Sequence, residues 1–287
     1  MPIFSVRVSE ELVGKRTDKL LADLLPQFPR AALAKLFDME LVWLNDKVTK
    51  PGIKVRPNDR IKADLSPLDI KIEDIDLPII YQDDDVLVVD KPNGIISHAR
   101  GRYFDEPSVA SFVRQITHQD GERAGIVHRL DRATSGVMVC AKNVPALSWL
   151  QRQFSARKVL KTYMAVISGS MPTGDGVIDM PVARNPAKPQ QFHVSEAGKH
   201  ALTRYKTVAA DGKHSLLELT PETGRTHQLR VHLKELNHPI VGDELYGGEP
   251  AGQLMLHAAK LEITLPNHEH MVFTSALPEA FGKYPHA

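Results

Sequence analysis

Residues 124–141 read Ala-Gly-Ile-Val-His-Arg-Leu-Asp-Arg-Ala-Thr-Ser-Gly-Val-Met-Val-Cys-Ala. Two apolar runs, 124–127 and 137–141, have the pattern of buried strands. Between them lies a polar nonapeptide, 128–136. In it Asp131 stands between Arg129 and Arg132, and Thr134, Ser135 and Gly136 follow. Two guanidiniums favour a negative charge between them. A glycine closing a hydroxyl pair suggests a tight turn where backbone and substrate come close. A charged segment between two buried strands is a candidate reactive site; an ordinary surface ion-pair cluster is the competing reading.

Working outward, the chain from residue 79 on is rich in strands. Candidate strands cover 79–82, 86–90, 137–142, 161–169, 201–209, 215–220, 260–265 and 272–274. Candidate helices cover 108–117, 145–155, 226–236 and 278–281. Many consecutive strands with few interleaved helices point to an α+β domain with a mostly antiparallel mixed sheet. The first 65 residues read as a separate unit of two short helices followed by small strands. Thr17 or Asp18 is the candidate cap of the first helix, and Leu33, Leu36 and Phe37 fall at helical spacing in the second. Residues 66–78, acidic and bounded by prolines, read as a linker. The boundaries are therefore 1–65, 66–78 and 79–287.

Bulk properties narrow the function classes. A hydrophobic content of 42% and a charged content of 25% are ordinary for a globular protein. No apolar run reaches bilayer length, and no secretory signal is visible at the N-terminus. The single cysteine, Cys140, cannot close an internal disulfide and fits a small buried hydrophobe. A cytoplasmic protein with no membrane partner is expected. The net charge of +1 does not advertise nucleic acid, so any such role needs a local basic face. His227 and His232 lack an acid or cysteine to complete a ligand set, so no metal is expected.

The nonapeptide 128–136 resembles the signature of the RluA-type pseudouridine synthases, which isomerise uridine in RNA. The block Pro221-Glu-Thr-Gly-Arg-Thr-His-Gln-Leu-Arg-Val-His-Leu233 and the turn Lys91-Pro92-Asn93-Gly94 also match that family, with Asn93 where many relatives carry alanine. The first unit resembles the ribosomal-protein-S-four-like (alpha-L) RNA-binding domain. The resemblance implies a pseudouridine synthase fold, no cofactor, and RNA as partner, with large-subunit ribosomal RNA favoured over transfer RNA. It makes Asp131 the catalytic carboxylate and Tyr163 the residue that stacks on the target base, with Leu229 closing the other side. Arg230 is the expected ion-pair partner of Asp131, through two parallel hydrogen bonds. Arg225 is the alternative for that role, or a phosphate ligand. Arg129 is expected to fill the space left by an extruded nucleotide. His128 supports the turn, and Lys91 shapes the pocket rim. Arg16, Lys19, Arg30 and Lys35 form a positive surface if they share a face, with Asp38 and Glu40 as acidic departures nearby. A monomer is expected. The RsuA-type sister class has glycine where His128 stands. Rival readings are an inactive RNA-binding protein and a serine hydrolase using Ser135, which lacks the preceding glycine of a nucleophile elbow. Thr223-Gly224-Arg225-Thr226 is too short for a P-loop.

Overall fold

The computed structural model describes residues 3–28, 30–68, 74–98, 106–117, 124–172 and 174–285. The chain divides into two compact units between residues 73 and 74, and residues 106–107 go with the first.

The first unit contains β1 (Ile3–Arg7), α1 (Thr17–Leu24), α2 (Arg30–Asp38), β2 (Val42–Leu44), β3 (Lys47–Val48) and β4 (Arg60–Asp64). The strands form an antiparallel sheet in the order β1-β4-β2-β3. Asn45 and Asp46, both at positive φ, make the tight β2–β3 turn that this residue pair favours. Leu20, Leu21, Leu33, Leu36 and Phe37 pack against Val42, Ile61 and Ala63. Neither expected cap is used. Thr17 already lies inside α1, and its hydroxyl donates to the Lys50 carbonyl at 2.7 Å. Asp18 instead accepts from Arg16 and Arg30. Within the expected linker 66–78, Leu68 is buried in this core and Leu77 in the core of the second unit, while 69–73 lie outside the described residues.

The second unit carries a nine-stranded sheet. Its strands, with a small hairpin, are β5 (Ile79–Gln82), β6 (Val86–Lys91), β7 (Ser135–Ala141), β8 (Leu160–Ser168), β9 (Asp175–Asp179), β10 (Val182–Arg184), β11 (Phe192–Val194), β12 (Leu202–Ala210), β13 (His214–Pro221), β14 (Leu256–Thr264) and β15 (His270–Thr274). The order is β5-β6-β7-β14-β8-β13-β12-β9, with β15 on β14; β10 and β11 pair only with each other. Every pairing is antiparallel except β7 with β14, so the mixed, mostly antiparallel sheet is as expected. Among the described residues three α-helices cover it: α3 (Val109–Thr117), α4 (Val144–Ser155) and α5 (Gln228–Glu235).

β7 explains the layering. All seven of its residues are buried, so both faces must be covered. Met138 and Cys140 face α3 through Val109, Ala110 and Val113. Val137, Val139 and Ala141 face α4 through Ala146 and Leu150. Each fully buried leucine such as Leu150 contributes about 1.5–3 kcal/mol. Asn143 caps α4 by accepting the Ala146 N–H at 2.9 Å, and Pro145 occupies the first turn. Burial pushes the Cys140 thiol up to about 12.

Candidate active site

The expected strand at 124–127 is a loop. Ala124 and Gly125 both adopt positive φ. A Cβ on Gly125 would lie 2.0 Å from the Ala141 carbonyl oxygen, so the chain reverses against β7 and makes only an isolated bridge, Ile126 with Cys140. From there the loop runs back along the sheet to Asp131. His128 accepts the Val139 N–H through Nε2 and stacks on Phe154 at 4.6 Å between ring centroids. Burial drives its pKa down to about 3, so the ring is a neutral prop. The Ser97 hydroxyl accepts the Leu130 N–H and donates to the Leu130 carbonyl.

The Lys91-Pro-Asn-Gly turn clamps the other side of this loop. Lys91 is fully buried, and its Nζ donates to the carbonyls of Pro92, Ile95 and Arg132. Asn93 donates to the Ala133 carbonyl, and the Gly94 N–H to that of Arg132. Lys91 is therefore an internal pin, which corrects the expectation of a substrate-binding residue on the pocket rim. Burial lowers its pKa to about 8. Gly136 also differs from expectation. It lies within β7 at φ +112°, and a Cβ there would stand 2.2 Å from the Ala258 carbonyl oxygen of β14. The close approach is to a neighbouring strand, not to substrate.

Asp131 leaves this clamp with its side chain 21% exposed, at a cleft of about 730 Å³. Facing it is α5. The helix starts at Gln228, two residues later than expected, because the Gln228 amide locks the preceding turn. Its Oε1 accepts from the Thr223 hydroxyl and the Arg225 N–H, and its Nε2 donates to Leu202 and Thr203. The turn leaves His227 in the left-handed region at φ 57°, a conformation that costs a residue with a Cβ on the order of 1–3 kcal/mol.

Arg230 reaches Asp131 only as an ion pair, Nη1 to Oδ2 at 3.6 Å. The two parallel hydrogen bonds expected for that pair go instead to Asp243, Nε to Oδ2 and Nη2 to Oδ1, both 2.7 Å. Burial opposes the Arg230 charge, but the bonds to Asp243 outweigh it and raise its pKa. Arg230 also lies over the Tyr246 ring, 5.0 Å from its centroid. His227 Nε2 is 3.7 Å from the same Asp131 oxygen. Arg225 lines the same cleft but, among the described residues, makes no ion pair with Asp131; its Nε donates to the His200 carbonyl. Asp243, Tyr246 and His227 were missed in the sequence. The one available signal for Asp243 was an acid directly after an apolar Ile-Val-Gly run.

Tyr163 and Leu229 line the cleft beside Asp131, as do Arg129 and His128. Burial raises the Tyr163 pKa, so it remains a phenol. The cleft is far larger than one pyrimidine. Six of its lining residues are cationic (Arg129, Arg157, Lys161, Arg204, Arg225 and Arg230) against Asp131 and Glu222. A chain of net charge +1 thus concentrates positive charge around this cleft. Among the described residues no cluster suits a metal ion, and no helix is long and apolar enough to cross a membrane.

The sequence matches the model of a family described as RNA pseudouridylate synthase over residues 85–235, which span the loop, the clamp and α5. The chain belongs to this family. An uncharacterised RNA pseudouridine synthase of Aquifex aeolicus is 37% identical over 97% of this chain and 94% of its own length. A ribosomal large subunit pseudouridine synthase D of Haemophilus influenzae is 36% identical over 96% of this chain and 92% of its own. Among solved structures, human RNA pseudouridylate synthase domain containing 1 superposes with a TM-score of 0.62 at 28% identity, covering 74% of this chain and 89% of that one. The RluA-type resemblance and the α+β fold class hold, and the reaction class is isomerisation of uridine in RNA.

Proposed function

We propose that the chain isomerises uridines of large-subunit ribosomal RNA to pseudouridine as a single-chain enzyme, with Asp131 as its catalytic carboxylate. The observation that carries this reading is the placement of Asp131. It stands on a doubly clamped loop in a basic cleft, with one oxygen facing Arg230 and His227. In the reaction the bond from uracil N1 to C1′ breaks, the base turns, and C5 bonds to C1′. The C5 proton departs and N1 gains one, so nothing is oxidised or reduced. A carboxylate can start this by attacking C1′, by adding to the ring, or by taking a ribose proton. Each route needs an oxygen held at a fixed angle against the nucleoside.

Arg230 supplies positive charge beside Asp131, and its bonds to Asp243 fix where that charge sits. Tyr163 and Leu229 would hold the detached base between them. Arg129, exposed at the cleft edge, would fill the gap left by the flipped nucleotide. Arg225 would meet a phosphate. In the first unit Arg16 and Arg30 converge on the single carboxylate of Asp18, which leaves a net positive charge near Lys19. With Lys35, that supports an RNA-anchoring role for a ribosomal-protein-S-four-like unit. The hydrolase reading has a geometric basis, since Ser135 Oγ lies 2.9 Å from His257 Nδ1. Both residues are buried between β7 and β14, however, and neither lines the cleft.

Mapping pseudouridine in total RNA from cells with and without this chain tests the proposal. Loss of specific sites from the large-subunit RNA is the expected result. Loss confined to transfer RNA would overturn the substrate.

A further inference from the structure

His227 is gripped on one edge and open on the other. Its Nδ1 lies 2.7 Å from the Tyr246 hydroxyl, and the two rings meet edge to face at 5.6 Å. Phe192 of β11 packs edge-on at 5.5 Å, and its N–H donates to the Tyr246 hydroxyl at 2.9 Å. The opposite nitrogen, Nε2, faces Asp131 Oδ2.

Which nitrogen carries the proton decides what Asp131 meets. The buried Tyr246 hydroxyl already accepts from Phe192. Among the described residues its own hydrogen has one acceptor, His227 Nδ1. A proton on Nδ1 would strand the phenol hydrogen and turn a bare lone pair toward a carboxylate. Both are unfavourable in a buried site. With Nδ1 accepting, the ring proton sits on Nε2 and points at Asp131. Burial lowers the His227 pKa although Asp131 pulls the other way, which favours the neutral ring over the imidazolium. The left-handed backbone at His227 is the strain accepted to aim the ring there.

We infer that His227 is a positioning residue for Asp131. The hydrogen-bond chain from the Phe192 main chain through Tyr246 fixes the Nε2–H tautomer, and this N–H closes on Oδ2 as RNA fills the cleft. The inference rests on the reading of Asp131 as the reacting carboxylate. A 3.7 Å separation is too long for a hydrogen bond, but catalytic hydrogen bonds commonly tighten only around the substrate. Arg230 then supplies charge, and His227 supplies direction.

Imidazole nitrogen NMR of the full chain tests the tautomer, with the His227 signal identified by its absence in His227→Gln. An Nε2–H tautomer in the wild type is expected, and an Nδ1–H tautomer or an imidazolium at neutral pH would overturn the inference. Kinetics on a ribosomal RNA fragment test the role. In His227→Ala, kcat should fall about tenfold to a hundredfold while KM moves by less than about threefold. His227→Gln, whose amide N–H reaches the place of Nε2–H, should recover most of the loss. Equal losses in both variants, or a change in KM alone, would make His227 a packing or RNA-contact residue and overturn the role. If Asp131→Asn proved active, the reading of Asp131 would fail, and the tautomer result would still report separately on the hydrogen-bond chain.

Discussion

Replacing Asp243 with alanine should damage the site from behind, without touching the cleft. Asp243 is 1% exposed and accepts two hydrogen bonds of 2.7 Å from Arg230, itself 9% exposed. Removing it leaves a buried guanidinium whose nearest remaining acid is Asp131, 3.6 Å away. Taking one partner from such a pair costs about 3–5 kcal/mol. In a unit of this size each kcal/mol moves the melting temperature by roughly 2–4 °C, so the midpoint should fall by roughly 6–20 °C. Calorimetry measures that fall, and single-turnover pseudouridine formation well below the new midpoint measures the second effect. Freed from Asp243, Arg230 should close on Asp131 and occupy the oxygen the reaction needs, so activity drops even where the chain is folded. Adding Arg230→Met should restore stability and leave activity low. A midpoint shift under about 2 °C for the single variant would refute the reasoning, because it would mean that no buried charge had been stranded.

Lys91 predicts a pH effect. The folded chain releases its proton near pH 8, whereas an exposed lysine holds one to 10.5. The unfolded state binds more protons in that window, so stability should rise with pH across it, by on the order of 3 kcal/mol. Urea titrations at pH 8 and pH 10 should show about two-thirds of this rise in the wild type beyond any change in Lys91→Met; parallel changes would contradict it. Gly136→Ala should destabilise by on the order of 3–5 kcal/mol, since a Cβ at φ +112° collides with the Ala258 carbonyl; an unchanged melting temperature would contradict the β7–β14 contact. Replacing Lys19 and Arg30 together with glutamine should weaken RNA binding and reduce the slope of log K against log salt by about 1–2. An unchanged slope would remove the first unit as an RNA anchor.

Strand periodicity made most of the large sheet legible. In β7 the run Val-Met-Val-Cys-Ala is apolar on both faces, as a doubly covered strand must be, and the helix expected over 145–155 is α4, whose cap at Asn143 was missed in the sequence. The failures came where local pattern and long-range packing disagree. Residues 124–127 look like a strand, but Gly125 must press against Ala141, and the chain bends away. Lys91 is charged and sits in a turn, so it read as a rim residue; only the three converging carbonyls show it to be internal. β1, β9 and the β10–β11 hairpin were missed because each is short or carries exposed residues in its alternation. Asp131, Tyr163, Leu229 and Arg230, far apart in the sequence, all line one cleft. Arg230 does pair with Asp131 as an ion pair, but the acceptor of its two hydrogen bonds was hidden because Asp243 lies 13 residues away in a loop with no periodic signature.

The most direct measurement is single-turnover pseudouridine formation by Asp131→Asn on a ribosomal RNA substrate, with RNA affinity and melting temperature followed on the same preparation. The substitution keeps the shape of the side chain and removes its charge. The account predicts a folded protein that binds RNA and forms no pseudouridine, even with enzyme in excess. Turnover at a rate near that of the wild type would contradict it.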